Sequence, residues 1–200
     1  MPARSIGKIA PALTGPGIRT TAVIGIVAVV AVAASIAVAP GLQGVLGAGL
    51  ALLMLAVALV DARRFIIPNE LTAAALGLGF VHAALQGPEG ILQALALAAL
   101  RGAVLALLFL ALRELYWRLR GRDGLGLGDV KFAAAAGVWL DWPAMPVAIE
   151  IAALAALALY VLGHVLGRRR IQATTRLPFG LFLAPAIWLA WLFQVWLDTF

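Results

Sequence analysis

Long apolar runs separated by short breaks form the main pattern of the chain. A helix that crosses a hydrocarbon core about 30 Å thick needs about 20 residues, and several runs reach that length. The breaks contain proline or glycine, which end helices because proline lacks a backbone donor and glycine is conformationally loose. The pattern predicts about seven helices, roughly over residues 20–39, 42–61, 70–86, 91–117, 129–141, 143–166 and 178–197.

These helices predict an all-α polytopic membrane protein with about six to seven transmembrane helices. The fifth is so short that it could be tilted, span only half the bilayer or be continuous with the sixth. The composition agrees, because 64% of the residues are hydrophobic and 12% are charged, against about half and about a quarter in soluble domains. We expect one membrane domain over residues 1–200, with residues 1–19 forming a cytoplasmic segment.

The positive charges predict the orientation of the chain. Thirteen of the fifteen Lys and Arg residues precede the first predicted helix or follow the second, fourth and sixth; the exceptions are Arg101 and Lys131. Cytoplasmic loops of membrane proteins carry the excess of Lys and Arg, so we expect this side to face the cytoplasm from the inner membrane. This topology accounts for the net charge of +6, and we therefore expect a lipid bilayer, and not nucleic acid, as the surrounding partner.

The first apolar run allows a second interpretation as a signal peptide. Basic residues precede it, and Ala37-Val38-Ala39 imitates a cleavage site. However, the run is long for a signal sequence, and Pro40 is a poor residue after a cleavage site. We interpret residues 20–39 as a transmembrane helix.

Two acids lie where the predicted helices meet the cytoplasmic boundary. Asp61 ends the second helix, and Asp129 begins the fifth. A single acid there could simply mark a helix end, but ionisable groups at membrane depth are costly and usually functional. Two neighbouring carboxylates cannot both ionise easily, so one keeps its proton and the pair supplies an acid and a base.

Three segments then resemble a known family. They are Asp61-Ala-Arg-Arg-Phe-Ile-Ile-Pro68-Asn69-Glu-Leu-Thr72, Gly126-Leu-Gly128-Asp129-Val-Lys131 and Leu177-Pro178-Phe179-Gly180-Leu181. In order and spacing they resemble the motifs of type IV prepilin peptidases over residues 50–200. The second is the GxGD signature that this family shares with presenilin-like proteases.

The resemblance implies an aspartic endopeptidase that removes the basic leader of prepilins, with Asp61 and Asp129 activating water and protonating the leaving amine. The printed sequence has no cysteine and no room for the cysteine-containing insert of the larger, methylating relatives. It thus resembles the short, peptidase-only form that serves Tad/Flp-type pili, or the archaeal preflagellin peptidases. The absence of cysteine also excludes a Cys-based zinc site, and we expect no metal and no cofactor.

Two residues depart from the family pattern. Asn69 replaces an aspartate that many relatives carry, which argues against a third catalytic acid. Leu181 replaces a proline that is common after Pro-Phe-Gly, which we interpret as a minor change.

The neighbouring residues have open roles. Gly126 and Gly128 could let an extended substrate lie beside Asp129 or could form a plain flexible loop. Lys131 could act on an acid or on a substrate carboxylate, or could extend to the interface. We assign the remaining motif residues to substrate binding or to loops near the acids: Pro68, Asn69, Pro178, Phe179 and Gly180.

Helix ends suggest how the proton is distributed. Asp129 lies at a helix amino end, which favours an anion, and Asp61 at a carboxyl end, which does not. We predict that Asp129 is the resting carboxylate and that Asp61 holds the proton. Asn69 is a candidate cap for the third helix.

Other polar and aromatic residues receive structural roles. Arg101 and Glu150 lie about 15 Å and about 10 Å from the outer ends of their helices by helical rise, and we predict that they pair. His82 and His164 favour core packing over metal binding. We interpret a set of tryptophans as interfacial belts: Trp139, Trp142, Trp188, Trp191 and Trp196.

Two further functions compete with the enzyme. A transporter or channel also uses intramembrane charges and broken helices, but we find no internal repeat. A non-catalytic membrane scaffold would tolerate Asn at both acids without loss.

Overall fold

Seven helices make up the described part of the chain. The computed structural model describes residues 17–87, 90–121, 124–165 and 178–199. The helices are α1 (Ile18–Val38), α2 (Leu42–Arg64), α3 (Asn69–Gln86), α4 (Ile91–Arg120), α5 (Leu127–Trp139), α6 (Ala144–Val165) and α7 (Phe179–Thr199). Among the described residues, five helices are long and apolar enough to cross a membrane, namely α1, α2, α4, α6 and α7. The prediction of an all-α polytopic membrane protein is confirmed.

Helix α5 is short and separate from α6. It lies two residues earlier than predicted, because Leu140 is extended and the N–H of Asp141 donates to Gln194 Oε1 at 2.9 Å instead of continuing the helix. Its 13 residues extend about 20 Å at ~1.5 Å per residue. This is less than the hydrocarbon thickness, so α5 does not cross the bilayer upright by itself.

Small residues bring α5 and α4 into close contact. A Cβ added to Gly137 would lie 2.5 Å from the carbonyl oxygen of Arg101, and one added to Gly102 would lie 2.9 Å from that of Ala134. The two backbones can approach so closely only because glycine occupies both positions. Helix α5 also packs against α3, and the core continues through α2 and α7.

Two of the tryptophans that we placed in interfacial belts lie in the core instead. Trp139 and Trp191 are 1% and 0% exposed, and both contact His82. Trp191 Nε1 donates to His82 Nε2 at 3.5 Å, which confirms the core role of this histidine. Indole rings pack in a core when the N–H has a hydrogen-bond partner. The position of a tryptophan in the sequence does not show whether it has such a partner. The side chain of His164 lies outside the described residues.

The predicted pairing of Arg101 with Glu150 is wrong. Arg101 Nη1 lies 2.6 Å from Asp141 Oδ1, and Arg101 Nε donates to the carbonyl oxygen of Gly137 at 3.4 Å. Glu150 is exposed, and it makes no ion pair with a described residue. Depth within a helix does not specify which way a side chain points, and α6 is not among the helices packed against α4.

Candidate active site

Asp61 is enclosed where α2 ends and α7 begins. Its side chain lies in the last turn of α2, and the residue is 4% exposed. The backbone N–H of Leu181 donates to Asp61 Oδ2 at 2.9 Å. A Cβ on Gly180 would lie 2.9 Å from the same oxygen. The third motif therefore supplies a backbone donor, and glycine is needed for the close approach.

Asp129 lies in the first turn of α5 and is partly exposed. The N–H of Gly126 donates to Asp129 Oδ2 at 2.9 Å, so the carboxylate caps the helix that carries it. Gly128, the neighbour of Asp129 in the chain, lies against Ile67, and Gly180 lies against both Ile67 and Asp61, so the three motifs that contain the two acids meet in one region of the fold.

Both carboxylates lie at helix amino ends. Asp61 ends its own helix but meets the amino end of α7, a contact between residues 120 positions apart. We predicted the position of the proton from a difference between the helix ends at which the two acids lie. Because Asp61 also meets a helix amino end, that difference no longer distinguishes the two acids. That assignment stays a prediction.

Ile67 joins the three motifs, and our sequence analysis gave it no role. It is 7% exposed, whereas the preceding Phe65 and Ile66 are 55% and 62% exposed. A Cβ on Gly128 would lie 3.5 Å from Ile67 Cβ, and one on Gly180 would lie 3.0 Å from Ile67 Cδ1. The burial of one apolar residue after a run of exposed ones is visible only in the fold, so the sequence carried no signal beyond the place of Ile67 in the first motif.

Lys131 contacts Asn69 rather than either acid. Its Nζ donates to Asn69 Oδ1 at 3.2 Å, and both residues are exposed. The predicted capping of α3 by Asn69 is wrong, because Asn69 is the first helical residue and Pro68 occupies the cap position without a side-chain bond. The Asn69–Lys131 contact thus links the first and second motifs at the edge of the site.

The loop before α5 is tied to the end of α4. Arg113 Nε donates to the carbonyl oxygen of Leu125 at 3.1 Å. Phe179 starts α7 directly after Pro178, and its ring lies 6.0 Å from that of Phe109 on α4. Within the described ranges no group of three or more His, Cys, Asp or Glu residues could hold a metal ion.

The sequence of the chain is similar to those of a known protein family. The model of the type IV leader peptidase family matches residues 48–161. The chain belongs to this family. The matched region contains both acids and Ile67, while the Pro-Phe-Gly segment lies beyond it.

Curated relatives carry the name prepilin leader peptidase/N-methyltransferase. The chain is 33% identical over 140 residues to the protein of Aeromonas salmonicida, covering 68% of this chain and 45% of the relative. It is 38% identical over 137 residues to that of Burkholderia pseudomallei, covering 68% and 42%. The chain thus spans less than half the length of these relatives. No solved structure matches it.

Proposed function

We propose that the chain is an aspartic endopeptidase that removes the leader peptide of prepilin-like membrane proteins. The observation that supports the proposal is the packing of the three motifs around Ile67, with Asp61 bound by the N–H of Leu181 and Asp129 next to Gly128. Two carboxylates with one shared proton provide an acid and a base in one site. Family membership and the printed names of the relatives support the substrate class.

The geometry fits hydrolysis through activated water. The ionised carboxylate removes a proton from the water, whose oxygen attacks the scissile carbonyl carbon. The protonated carboxyl group donates its proton to the leaving amine as the C–N bond breaks. The N–H of Leu181 holds Asp61 in place through these steps. Partial exposure of Asp129 leaves one side of the pair open to substrate.

We place the site at the cytoplasmic face of the inner membrane. Arg63 and Arg64 lie two and three residues after Asp61, and Arg118 and Arg120 end α4 near the loop that leads to Asp129. The positive-inside rule supports a cytoplasmic position for this end. A basic leader would meet the two acids as its membrane helix enters the bilayer, and the exposed Gly126 and partly exposed Gly128 leave room for extended backbone beside Asp129.

The sequence resemblance supports the short, peptidase-only form acting on Tad/Flp-type substrates. We expect hydrolysis without methyl transfer, which mass measurement of the new amino terminus would check. No observation specifically favours a transporter.

The decisive experiment is cleavage of a panel of candidate prepilins co-expressed in membranes. Wild type should shorten at least one substrate, and Asp61→Asn and Asp129→Asn should each lower the rate at least about 100-fold, since acid–base groups contribute about 10²–10⁴. The control is Asp198→Asn, an exposed acid at the far end of α7, which should cleave normally. Equal cleavage by all variants would reject the acid pair, and an uncleaved panel including Flp-type leaders would reject prepilins as substrates.

A further inference from the structure

We propose that the Arg101–Asp141 ion pair is a positioning device that sets the place of α5 and, through it, of Asp129. The two residues lie at the carboxyl end of α5, and Asp129 lies in the first turn at its other end. They do not reach the reacting atoms, so they act only through the helix. We call Arg101, Asp141 and Gln194 the clamp.

The clamp holds the carboxyl end of α5 with directional bonds from two helices. Arg101 on α4 binds both Asp141 and the carbonyl oxygen of Gly137, so its cation also meets the negative end of the helix dipole. Gln194 on α7 accepts the N–H of Asp141 at 2.9 Å. Trp139 Nε1 adds a bond of 2.8 Å to the carbonyl oxygen of Ala75 on α3.

The amino end of α5 has fewer directional bonds to other helices. Asp129 bonds to Gly126 in its own loop, and Lys131 bonds to Asn69 on the exposed surface. Gly128 contacts Ile67, and the buried Phe132 packs in the apolar core. The alanines and glycine at residues 133–137 have no side-chain donor or acceptor, so the middle of α5 adds no directional side-chain bond. Because a close-packed helix moves as a unit, a shift at the clamp reaches Asp129.

The surroundings of the Arg101–Asp141 pair should allow the protein to fold when one of the two charges is removed. Arg101 and Asp141 are 15% and 46% exposed at their side chains, and they line a cavity of about 420 Å³ that also contains Gln43, Gln86 and Gln93. The cavity is lined by both polar and apolar side chains and is large enough for water near the polar ones. Water can therefore solvate a charge that has lost its partner.

A disulfide reporter measures the position of α5 without an activity assay. The chain has no cysteine, and Ile67 Cβ lies 3.5 Å from a Cβ built on Gly128, within the range for disulfides. In membranes, the Ile67→Cys/Gly128→Cys protein should crosslink rapidly with a mild oxidant. Adding Asp141→Asn should slow crosslinking at least about fivefold, because the bond tolerates little displacement. The matched control Glu150→Gln removes an exposed acid from α6 and should leave the rate unchanged.

A second variant covers the case in which Asp141→Asn does not fold. Arg101→Gln/Asp141→Asn removes both charges and leaves no unpaired ion, and it should slow crosslinking to a similar degree. An unchanged crosslinking rate in the folded variant, single or double, would overturn the proposal.

Cleavage kinetics provide a second readout that rests on the proposed function. With the native residues at positions 67 and 128, Asp141→Asn should lower kcat about three- to tenfold with little change in KM, since small misplacement of reacting groups slows the chemical step. Asp141→Glu, which keeps the charge, should restore most of the rate. A change in KM alone would count against positioning. If Asp141→Asn leaves crosslinking unchanged and neither wild type nor any variant cleaves, both the clamp's role and the proposed function are rejected. If Asp141→Asn slows crosslinking but wild type does not cleave, only the proposed function is rejected.

Discussion

The two ends of α5 are held in different ways. At the clamp end, side chains of Arg101, Asp141 and Gln194 bond across α4, the α5–α6 connection and α7. At the other end, which we call the dyad end, backbone N–H groups bind Asp61 and Asp129, and the connecting segments carry exposed residues. We therefore assign structural support to the clamp end and the cleavage chemistry to the dyad end. Changes at the dyad end should alter cleavage more than stability, and changes in the packed core toward the clamp end should do the reverse.

After the loss of either acid, the largest expected effect is that of Gly180→Ala at the dyad end. The new Cβ would lie 2.9 Å from Asp61 Oδ2, so the carboxylate or α7 must shift. A displacement near 1 Å costs on the order of 100-fold in rate, and we expect prepilin cleavage to fall by about that factor. The control is Gly77→Ala, at an exposed helical glycine with nothing within 4 Å of the added atom. Comparable loss in both variants would argue against steric displacement of Asp61.

Gly47→Ala tests the core away from the acids. The added Cβ would overlap the buried ring of Trp191, which is held by its bond to His82. Overpacking costs about 1–3 kcal/mol, so we expect a loss of about 2 kcal/mol in the free energy of unfolding, visible as a lower Tm in detergent. Gly25→Ala, with open space at its Cβ, is the control. A variant of normal stability with poor cleavage would contradict the division between the ends.

Leu181→Pro isolates one hydrogen bond of the site. Leu181 is the third residue of α7 and follows a glycine, so proline is tolerated there, because the early N–H groups lack intrahelical partners. The variant loses the donor to Asp61 Oδ2. A typical hydrogen bond contributes about 0.5–1.5 kcal/mol, and one to a charged group somewhat more, so we expect cleavage to slow about tenfold.

Leu181→Ala is the matched control, because it keeps the N–H and removes only the side chain. It should cleave at nearly the normal rate. If alanine were as harmful as proline, the side chain and not the backbone donor would matter.

The smallest effect is expected for Asn69→Ala. It removes the acceptor of Lys131 in an exposed contact, and exposed polar pairs contribute little. Because such a contact contributes so little, the rate of cleavage should change less than about twofold. A loss above tenfold in the cleavage assay would show that Lys131 acts on the acids or the substrate, the alternative that the sequence left open.

The structure also shows that the replacement of the family's proline by Leu181 affects the site. We interpreted Leu181 in place of a proline as a minor change. The N–H of Leu181 binds Asp61, and proline has no N–H to donate. The replacement therefore adds a backbone donor to the site, a property that comparison of side chains does not show.

Local chemistry made much of the fold predictable. Apolar runs and Pro/Gly breaks specified the helices to within a few residues, and motif order indicated Asp61 and Asp129 as a pair. The errors concern contacts between helices: the partner of Arg101, the burial of Trp139 and Trp191, and the joining role of Ile67. Each depends on the rotation of one helix against another.

The sequence by itself determined that the chain is an all-helical membrane protein, because hydropathy and helix breaking act over a few residues. It also indicated Asp61 and Asp129 as the candidate acids, because both lie at predicted helix ends. Only the tertiary structure decided that α7 supplies a donor to Asp61 and that Arg101 meets Asp141. In a bilayer every helix is apolar over most of its surface, so hydropathy does not specify which faces meet. Close approach at glycines and a few directional polar bonds make that choice.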